Sequence, residues 1–199
     1  MTFLDAPQDA PRNPQADDEL LGRPLDPQAL CLSEEQLQQA ARQVDASLPE
    51  EEQWSRYLRL QALQALKLWK QQQHLKLLIG PETDPEEPTR LLALNQKATQ
   101  LLCSSPLQEE VAVPLACWRD QSTAPQLLLL AQVDEENGVV QFPGVLEAQA
   151  FIAEVHRRNA AEQQTIELPE TLFRGGLERL LRWLTLLEPE ALPRAGLVA

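Results

Sequence analysis

The sequence contains few of the residues that build metal centres and disulfide frameworks. Its two histidines, His74 and His156, stand outside the H-x-x-x-H and H-E-x-x-H spacings of zinc sites. Its three cysteines, Cys31, Cys103 and Cys117, include no C-x-x-C pair, and their odd number gives no complete disulfide set. We therefore expect buried free thiols in a reducing compartment, with no metal and no cofactor. A two-thiolate half-site is the alternative if the strands of Cys103 and Cys117 pair.

Motifs of catalysis are missing as well. The chain has no G-x-S-x-G, no G-x-x-x-x-G-K-[ST] and no G-x-G-x-x-G. Ser104 and Ser105 follow Cys103, but no spacing connects them to His156 as a base. The paired carboxylates fall at turns and helix starts, where solvent and the helix dipole account for them: Glu34-Glu35, Glu86-Glu87, Glu109-Glu110 and Glu135-Glu136. The sequence therefore favours a non-catalytic protein and leaves an enzyme uncertain.

Long apolar runs and positive charge are also scarce. The longest unbroken apolar run is Leu127–Ala131, far too short to cross a bilayer. The formal net charge is −13, from 17 Lys and Arg against 30 Asp and Glu, which opposes binding to nucleic acids and to anionic membranes. The first residues carry neither a basic segment nor an apolar core of a secretory signal. We expect a cytoplasmic protein.

Proline is abundant, at 16 residues, and it divides the chain. Residues 1–30 hold five prolines and six acidic residues, a composition typical of disorder, so we predict a proline-rich acidic arm. The alternative is a docking tail anchored by Phe3-Leu4 and Leu20-Leu21. Residues 31–188 are predicted to form one domain, and residues 189–199 a loose tail.

Apolar residues at spacings of three and four predict helices. The longest covers residues 47–73, with Trp54, Tyr57, Leu58, Ala62, Ala65, Leu66 and Trp69 on its inner face and a capping box of Ser47 and Glu50. A shorter helix begins at Ser33, which forms a second capping box with Gln36. Further helices are predicted over residues 145–158 and 177–187.

Short apolar runs between turn residues predict strands, over residues 89–94, 98–103, 111–113 and 165–168. Residues 126–142 predict a hairpin that turns at Asn137-Gly138 and ends at Pro143-Gly144. The fold class that follows is α+β: an N-terminal helical pair with a long amphipathic helix packed on a small, mainly antiparallel sheet, and a closing C-terminal helix.

The order of these segments resembles a family. RYLRLQALQALKLWKQQQ (56–73), TRLLAL (89–94), VAVPLACWRD (111–120) and QLLLLAQVDEENGVVQFPGV (126–145) are similar to successive segments of a cyanobacterial family of unknown function, domain of unknown function 1822. The resemblance covers residues 33–187, with a proline between the aromatic residue and the glycine that typically follow the hairpin. It implies a cyanobacterial origin and an α+β domain, and it supplies no catalytic residues.

Basic residues cluster in two places only. We take them as the candidate interaction surface: His156, Arg157, Arg158, Arg174, Arg179 and Arg182. They lack the interleaved aromatic residues of a single-stranded RNA site and suit an acidic partner or the chain's own arm. The alternative is that they are arginines of exposed helix faces. Gly175-Gly176 before the last helix is more typical of a turn than of an anion site.

The leading hypothesis is a non-catalytic protein–protein interaction or regulatory module of a cyanobacterium, with another protein as its partner. The alternative is a small enzyme or ligand-binding domain whose site forms only in three dimensions. A deep apolar pocket that contains His156 or Glu167 with a perturbed pKa would favour that alternative.

The composition of residues 1–30 generates a first prediction. Deleting this arm should leave the melting temperature of the domain nearly unchanged, because a segment this poor in apolar residues buries little surface. Thermal unfolding of the full-length and shortened chains, followed by circular dichroism, measures this. A large drop in melting temperature would show that the arm packs on the domain.

Overall fold

The structure, a computed structural model, describes residues 29–82, 91–94, 97–119, 124–160 and 162–186. Within this part the chain forms four α-helices: α1 (Glu34–Arg42), α2 (Glu50–Gln72), α3 (Ala148–Arg157) and α4 (Gly176–Leu186). Nine strands accompany them: β1 (Leu30–Cys31), β2 (Ile79–Glu82), β3 (Leu91–Leu94), β4 (Lys97–Ser104), β5 (Glu110–Pro114), β6 (Leu127–Asp134), β7 (Val139–Glu147), β8 (Thr165–Pro169) and β9 (Arg174–Gly175).

Seven of these strands form one sheet, in the order β1-β7-β6-β4-β3-β2, with β9 also paired to β7. The β4–β6 pair is parallel and every other pair of this sheet is antiparallel. The mixed α and β class with a mainly antiparallel sheet is confirmed. The predicted arrangement is matched only in part, because the sheet is larger than expected and β5 and β8 pair separately as a two-stranded sheet.

Strand β6 is buried on both of its faces, as its unbroken apolar sequence predicts. On one face Leu127 and Leu129 pack in a core with Ala62, Ala65 and Leu66 of α2 and with Leu177, Leu180 and Leu184 of α4. On the other face Leu128 and Leu130 pack with Val113 of β5, Leu168 of β8 and Phe151 of α3. The main sheet is therefore the middle of three layers.

A polar contact joins the third layer to the main sheet. Gln100 of β4 is buried, and its Oε1 accepts a hydrogen bond of 2.8 Å from Nε1 of Trp118. Trp118 closes a 3-10 turn (Ala116–Trp118), and its ring lies 4.3 Å from that of Phe151, centroid to centroid. The amide satisfies the indole N–H inside the core, as a buried polar group requires.

Strand β7 does not end at Pro143-Gly144, so this prediction is wrong. The strand continues to Glu147, and α3 begins at Ala148 instead of Val145. Leu130 pairs with Gly144 and Gln132 with Gln141, so β7 carries one extra residue there, a β-bulge. A bulge tolerates the missing N–H of Pro143 within a strand.

The turn of the β6–β7 hairpin follows its sequence signal. Gly138 has a φ of +64°, and the Asn137 N–H donates a 3.2 Å hydrogen bond to Oδ1 of Asp134. Gly138 is the member of the Asn-Gly pair with positive φ. The hairpin itself is confirmed.

The two N-terminal helices begin differently from each other. The capping box of α1 is present: Ser33 Oγ accepts from the Gln36 N–H, and the Ser33 N–H donates to Oε1 of Gln36. The capping box expected from Ser47 and Glu50 is wrong. Pro49 caps α2 without a side-chain hydrogen bond, and the Ser47 N–H donates to Oδ1 of Asp45 instead. The Asp45 carboxylate thus forms a local side-chain-to-backbone hydrogen bond in the turn before α2, in place of the expected capping box.

The inner face of α2 is confirmed for Ala62, Ala65 and Leu66 and wrong at one end. Trp54 leaves 47% of its surface exposed, whereas Leu58 and Trp69 are partly buried and pack against the core. A helix of 23 residues is about 34 Å long at 1.5 Å per residue, and its buried residues lie between Gln61 and Leu66, about two turns after Trp54. The apolar stripe therefore continues beyond the core that it was expected to fill.

Several predicted segments lie partly outside the described residues. These are residues 1–28 of the arm, residues 89–90 of the strand predicted over 89–94, residue 187 of the last predicted helix, and the C-terminal tail, 189–199. Leu30, the last residue of the predicted arm, is buried and pairs with Val140 of β7. A deletion that tests the arm should therefore end at residue 28. Within the described part of the chain, no helix has the length and apolar character that a bilayer requires.

Gly144 generates the second prediction. A Cβ atom at this position would lie 2.2 Å from the backbone N of Arg174, because β9 crosses close to β7 there. Gly144→Ala should therefore reduce the free energy of unfolding by about 2 kcal/mol or more, since overpacking forces backbone shifts. Urea unfolding measures the change. The matched control is Gln141→Ala on the same strand, expected to change stability much less, and equal losses in both variants would contradict the close-approach argument.

Candidate functional site

An open groove lies between α1 and the first turns of α2. Its volume is about 990 Å³, within the range of ligand pockets. The groove is lined by residues of α1, of the connecting turn and of α2: Ala41, Val44, Ala46, Glu50, Glu51, Gln53, Trp54 and Tyr57. Among the described residues, its lining comes only from these two helices and the turn between them.

The local sequence explains why this groove is open. On one side stand Ala41 and Ala46, whose methyl side chains occupy little volume. On the other side stand Trp54 and Tyr57, the two largest side chains of the lining. Small residues facing aromatic ones leave a depression, since close packing of two helices needs side chains that fill the space between them.

The floor of the groove is aromatic. The rings of Trp54 and Tyr57 lie 5.9 Å apart, centroid to centroid, with a tilt of 48°. This distance is within the range at which aromatic pairs stabilise each other, so the Tyr57 ring supports the indole. Trp54 remains 47% exposed despite this contact. The groove therefore presents a large apolar side chain to solvent at a defined place.

The rim of the groove is acidic. Glu50 and Glu51 line it, and the lining residues that the structure describes include no lysine or arginine. Burial raises the pKa of the Tyr57 phenol, and the nearby Glu135 carboxylate raises it further. The phenol therefore stays neutral at physiological pH and offers a hydroxyl that can donate or accept a hydrogen bond. The arrangement can bind apolar side chains and cations.

The predicted basic residues of α3 are held within the domain. The Glu154 carboxylate accepts hydrogen bonds from Arg157 Nε at 2.7 Å and from Arg158 Nε at 2.5 Å. Arg158 Nη1 also donates to the backbone oxygen of Glu167 at 2.7 Å. His156 is exposed beside them. Arg158 therefore ties α3 to β8.

The predicted basic residues of the last helix lie elsewhere. Arg174 Nε donates to the backbone oxygen of Thr171 at 3.1 Å, and Arg179 Nη2 contacts Oε1 of Glu147 at 3.0 Å. Arg182 is exposed on α4. Because α3 and α4 pack on opposite faces of the main sheet, the structure separates the two groups of arginines.

The cysteines differ in environment. All three are free thiols; Cys31 is exposed, Cys103 is half-buried and Cys117 is buried. The prediction of buried thiols is thus wrong for Cys31. Burial raises the pKa of Cys117 to about 11, so that thiol is protonated and unreactive. Among the described residues, no group of three or more His, Cys, Asp and Glu side chains is arranged to hold a metal ion.

Neither side chain named for the ligand-binding alternative lines the groove. His156 and Glu167 are both exposed, on α3 and β8. The groove was missed in the sequence because Trp54 fits the helical stripe of α2. One signal was available: Trp54 stands between Glu50-Glu51-Glu52-Gln53 and Ser55-Arg56, so its neighbours in the chain are all polar.

Comparisons with protein-family models, with curated proteins and with solved structures find no match to this chain. The resemblance to the cyanobacterial family therefore stays a prediction.

The Glu154 cluster generates the third prediction. Hydrogen bonds from Arg157 and Arg158 lower the pKa of Glu154 to about 2. A carboxylate whose folded-state pKa lies below its unfolded value stabilises the fold fully above that unfolded value, near pH 4.5. The stabilisation is then lost as the pH falls toward 2.

Glu154→Gln should therefore destabilise the domain near pH 7, and the difference from the wild type should shrink as the pH approaches 2. Denaturant unfolding at several pH values measures this difference. A difference that stays constant over the pH range would show that Glu154 does not act through its charge.

Proposed function

We propose that this domain is a non-catalytic protein–protein interaction module, and that the groove between α1 and α2 is its docking surface. The observation that carries the proposal is the half-exposed Trp54 on the floor of an open groove of about 990 Å³. Tryptophan is among the residues that contribute most to binding energy when a partner buries it. The groove supplies the concave surroundings in which such a residue can be desolvated.

Chemical features of the groove favour binding over catalysis. Among the described residues, its lining offers two carboxylates, one glutamine amide and one phenol, and it contains no Ser, Cys, His or Lys. Nucleophilic catalysis and proton transfer commonly use such side chains close to an activating partner. Aromatic and aliphatic contacts with a polar rim are, in contrast, the usual composition of an interface core and its edge.

The arginine groups form a weaker docking surface. Arg157, Arg158, Arg174 and Arg179 each contact a carboxylate or a backbone oxygen of this domain. A partner would have to compete with those contacts, and exposed ion pairs contribute little net energy. We therefore place the main contact at the groove.

The proposal includes the kind of partner, the location in the cell and the family that the sequence predicts. The partner is another protein, and the net charge of −13 supports this choice over a nucleic acid. The location is cytoplasmic. The chain is a member of the cyanobacterial family that residues 33–187 resemble, with a regulatory role as one form of the interaction.

The fourth prediction concerns Trp54. Trp54→Ala should remove a near-stoichiometric partner from the tagged full-length protein purified from its native lysate, because truncation of a central tryptophan commonly weakens binding tenfold or more. Mass spectrometry with isotope labelling measures the amount of partner retained.

The chain offers a matched control for this experiment. Ile152 on α3 is 45% exposed, close to the 47% of Trp54, and lies outside the groove. Ile152→Ala should keep the partner, and circular dichroism should show both variants folded. Retention of the partner by Trp54→Ala, or the absence of any partner of the wild type, would overturn the proposal.

A further inference from the structure

We infer that the partner segment is a basic amphipathic helix of another protein, with apolar side chains on Trp54 and Tyr57 and Lys or Arg residues facing Glu50 and Glu51. This inference rests on the proposed function, since it assigns a chemical class to the partner of the same groove. It follows from the charge around the groove, from the type of surface that encloses it, and from the charge of the competing occupants.

The charge around the groove is predominantly negative. Glu50 and Glu51 line it, Glu52 follows them in the first turn of α2, Asp45 lies in the connecting turn, and Glu135 acts on Tyr57. Among the described residues, Arg56, which acts on Asp45, and Arg42 in the last turn of α1 oppose these five carboxylates. The positive end of the α2 dipole, roughly half a charge, is more than offset by three glutamates. A cationic segment therefore meets an attractive field.

The surface that encloses the groove favours a helical partner. Its lining comes from α1, the connecting turn and α2, with no strand among these residues. An added β-strand would need a free sheet edge to satisfy its backbone groups. A helix satisfies its own backbone and presents apolar side chains at spacings of three and four, which suits a groove between two helices.

Two other segments could occupy the groove, the chain's own N-terminal arm and a second copy of the chain, and both are acidic. Residues 1–28 carry six acidic residues and two arginines, a net charge of −4. A second copy of the chain would carry the same glutamate rim and a net charge of −13. Like charges at close contact oppose association, so both occupants are disfavoured relative to a basic segment.

The test begins with a displayed library of random peptides, each about 16 residues long, selected on the full-length protein at low salt. A peptide of this length forms about four helical turns. We expect the enriched peptides to carry net positive charge and apolar residues at helical spacing. Labelled versions are then titrated with protein variants, and fluorescence anisotropy gives the Kd.

The variants separate the aromatic contribution from the charge contribution. Trp54→Ala should raise the Kd about tenfold or more. The double variant Glu50→Gln with Glu51→Gln should raise it about three- to tenfold at low salt and weaken its salt dependence. The matched control is Glu34→Gln with Glu35→Gln, which removes the same charges from the first turn of α1 and should change the Kd less than about twofold.

The outcomes distinguish the inference from the proposed function. Enriched peptides that are neutral or acidic, yet lose binding with Trp54→Ala, would overturn the basic partner and keep the groove. Enriched peptides that bind Trp54→Ala as well as the wild type would overturn the groove itself, and with it the proposed function. A library that yields no binding peptide would overturn the inference of a helical segment.

Two further measurements test whether the N-terminal arm or a second copy of the chain occupies the groove. Tight, Trp54-dependent binding of a synthetic peptide of residues 1–28 to the chain deleted of those residues would overturn the inference in favour of the arm. Concentration-dependent dimerisation that Trp54→Ala abolishes, seen by sedimentation, would overturn it in favour of a second copy.

Discussion

The burial of β6 on both faces is the constraint on which the rest of the fold depends. Its alternate residues belong to different cores: Leu127 and Leu129 face the layer of α2 and α4, and Leu128 and Leu130 face the layer of β5, β8 and α3. Without either layer, a row of leucines would be exposed to water, at a cost of roughly 25 cal/mol for each Å² of apolar surface. Both layers are therefore needed to bury the two faces of β6.

An apolar strand of this kind does not specify its own register. A shift by one residue would exchange the two faces of β6 and still bury leucines on both sides. Other features must fix the pairing. The hairpin turn at Gly138 fixes the pairing at one end of β7, and the bulge near Pro143 fixes it in the middle of the strand. The close contact of Gly144 with the backbone of Arg174 then aligns β9 with the same register.

The sequence predicts those parts of the fold that depend on neighbouring residues. Ser33 and Gln36 are three residues apart, and their capping box forms as expected. The hairpin of β6 and β7 depends on a turn of four residues between apolar strands. The parallel β4–β6 pair and the separate β5–β8 sheet could not be predicted in this way, because their partners are far apart in sequence and no local pattern encodes the pairing.

The candidate site shows the same limit more sharply. The period of α2 correctly places Ala62, Ala65 and Leu66 inside, but Trp54 on the same stripe is 47% exposed, because the core that covers the stripe is a tertiary property. Arginines that form two clusters in the sequence are likewise separated, because α3 and α4 cover opposite faces. Periodicity gives the direction of a side chain, and only the packed layers decide what it meets.

The exposed Trp54 has a cost that bears on function. Larger apolar side chains at Ala41 or Ala46 would fill the groove and bury more of the indole, which would stabilise the domain. A groove that remains open forgoes this stability, and such a surface also promotes self-association. The glutamates on its rim oppose that association, since two copies would bring like charges together. Under the proposed function the same carboxylates therefore do two things: they keep the apolar groove free of other copies, and they select a partner of opposite charge.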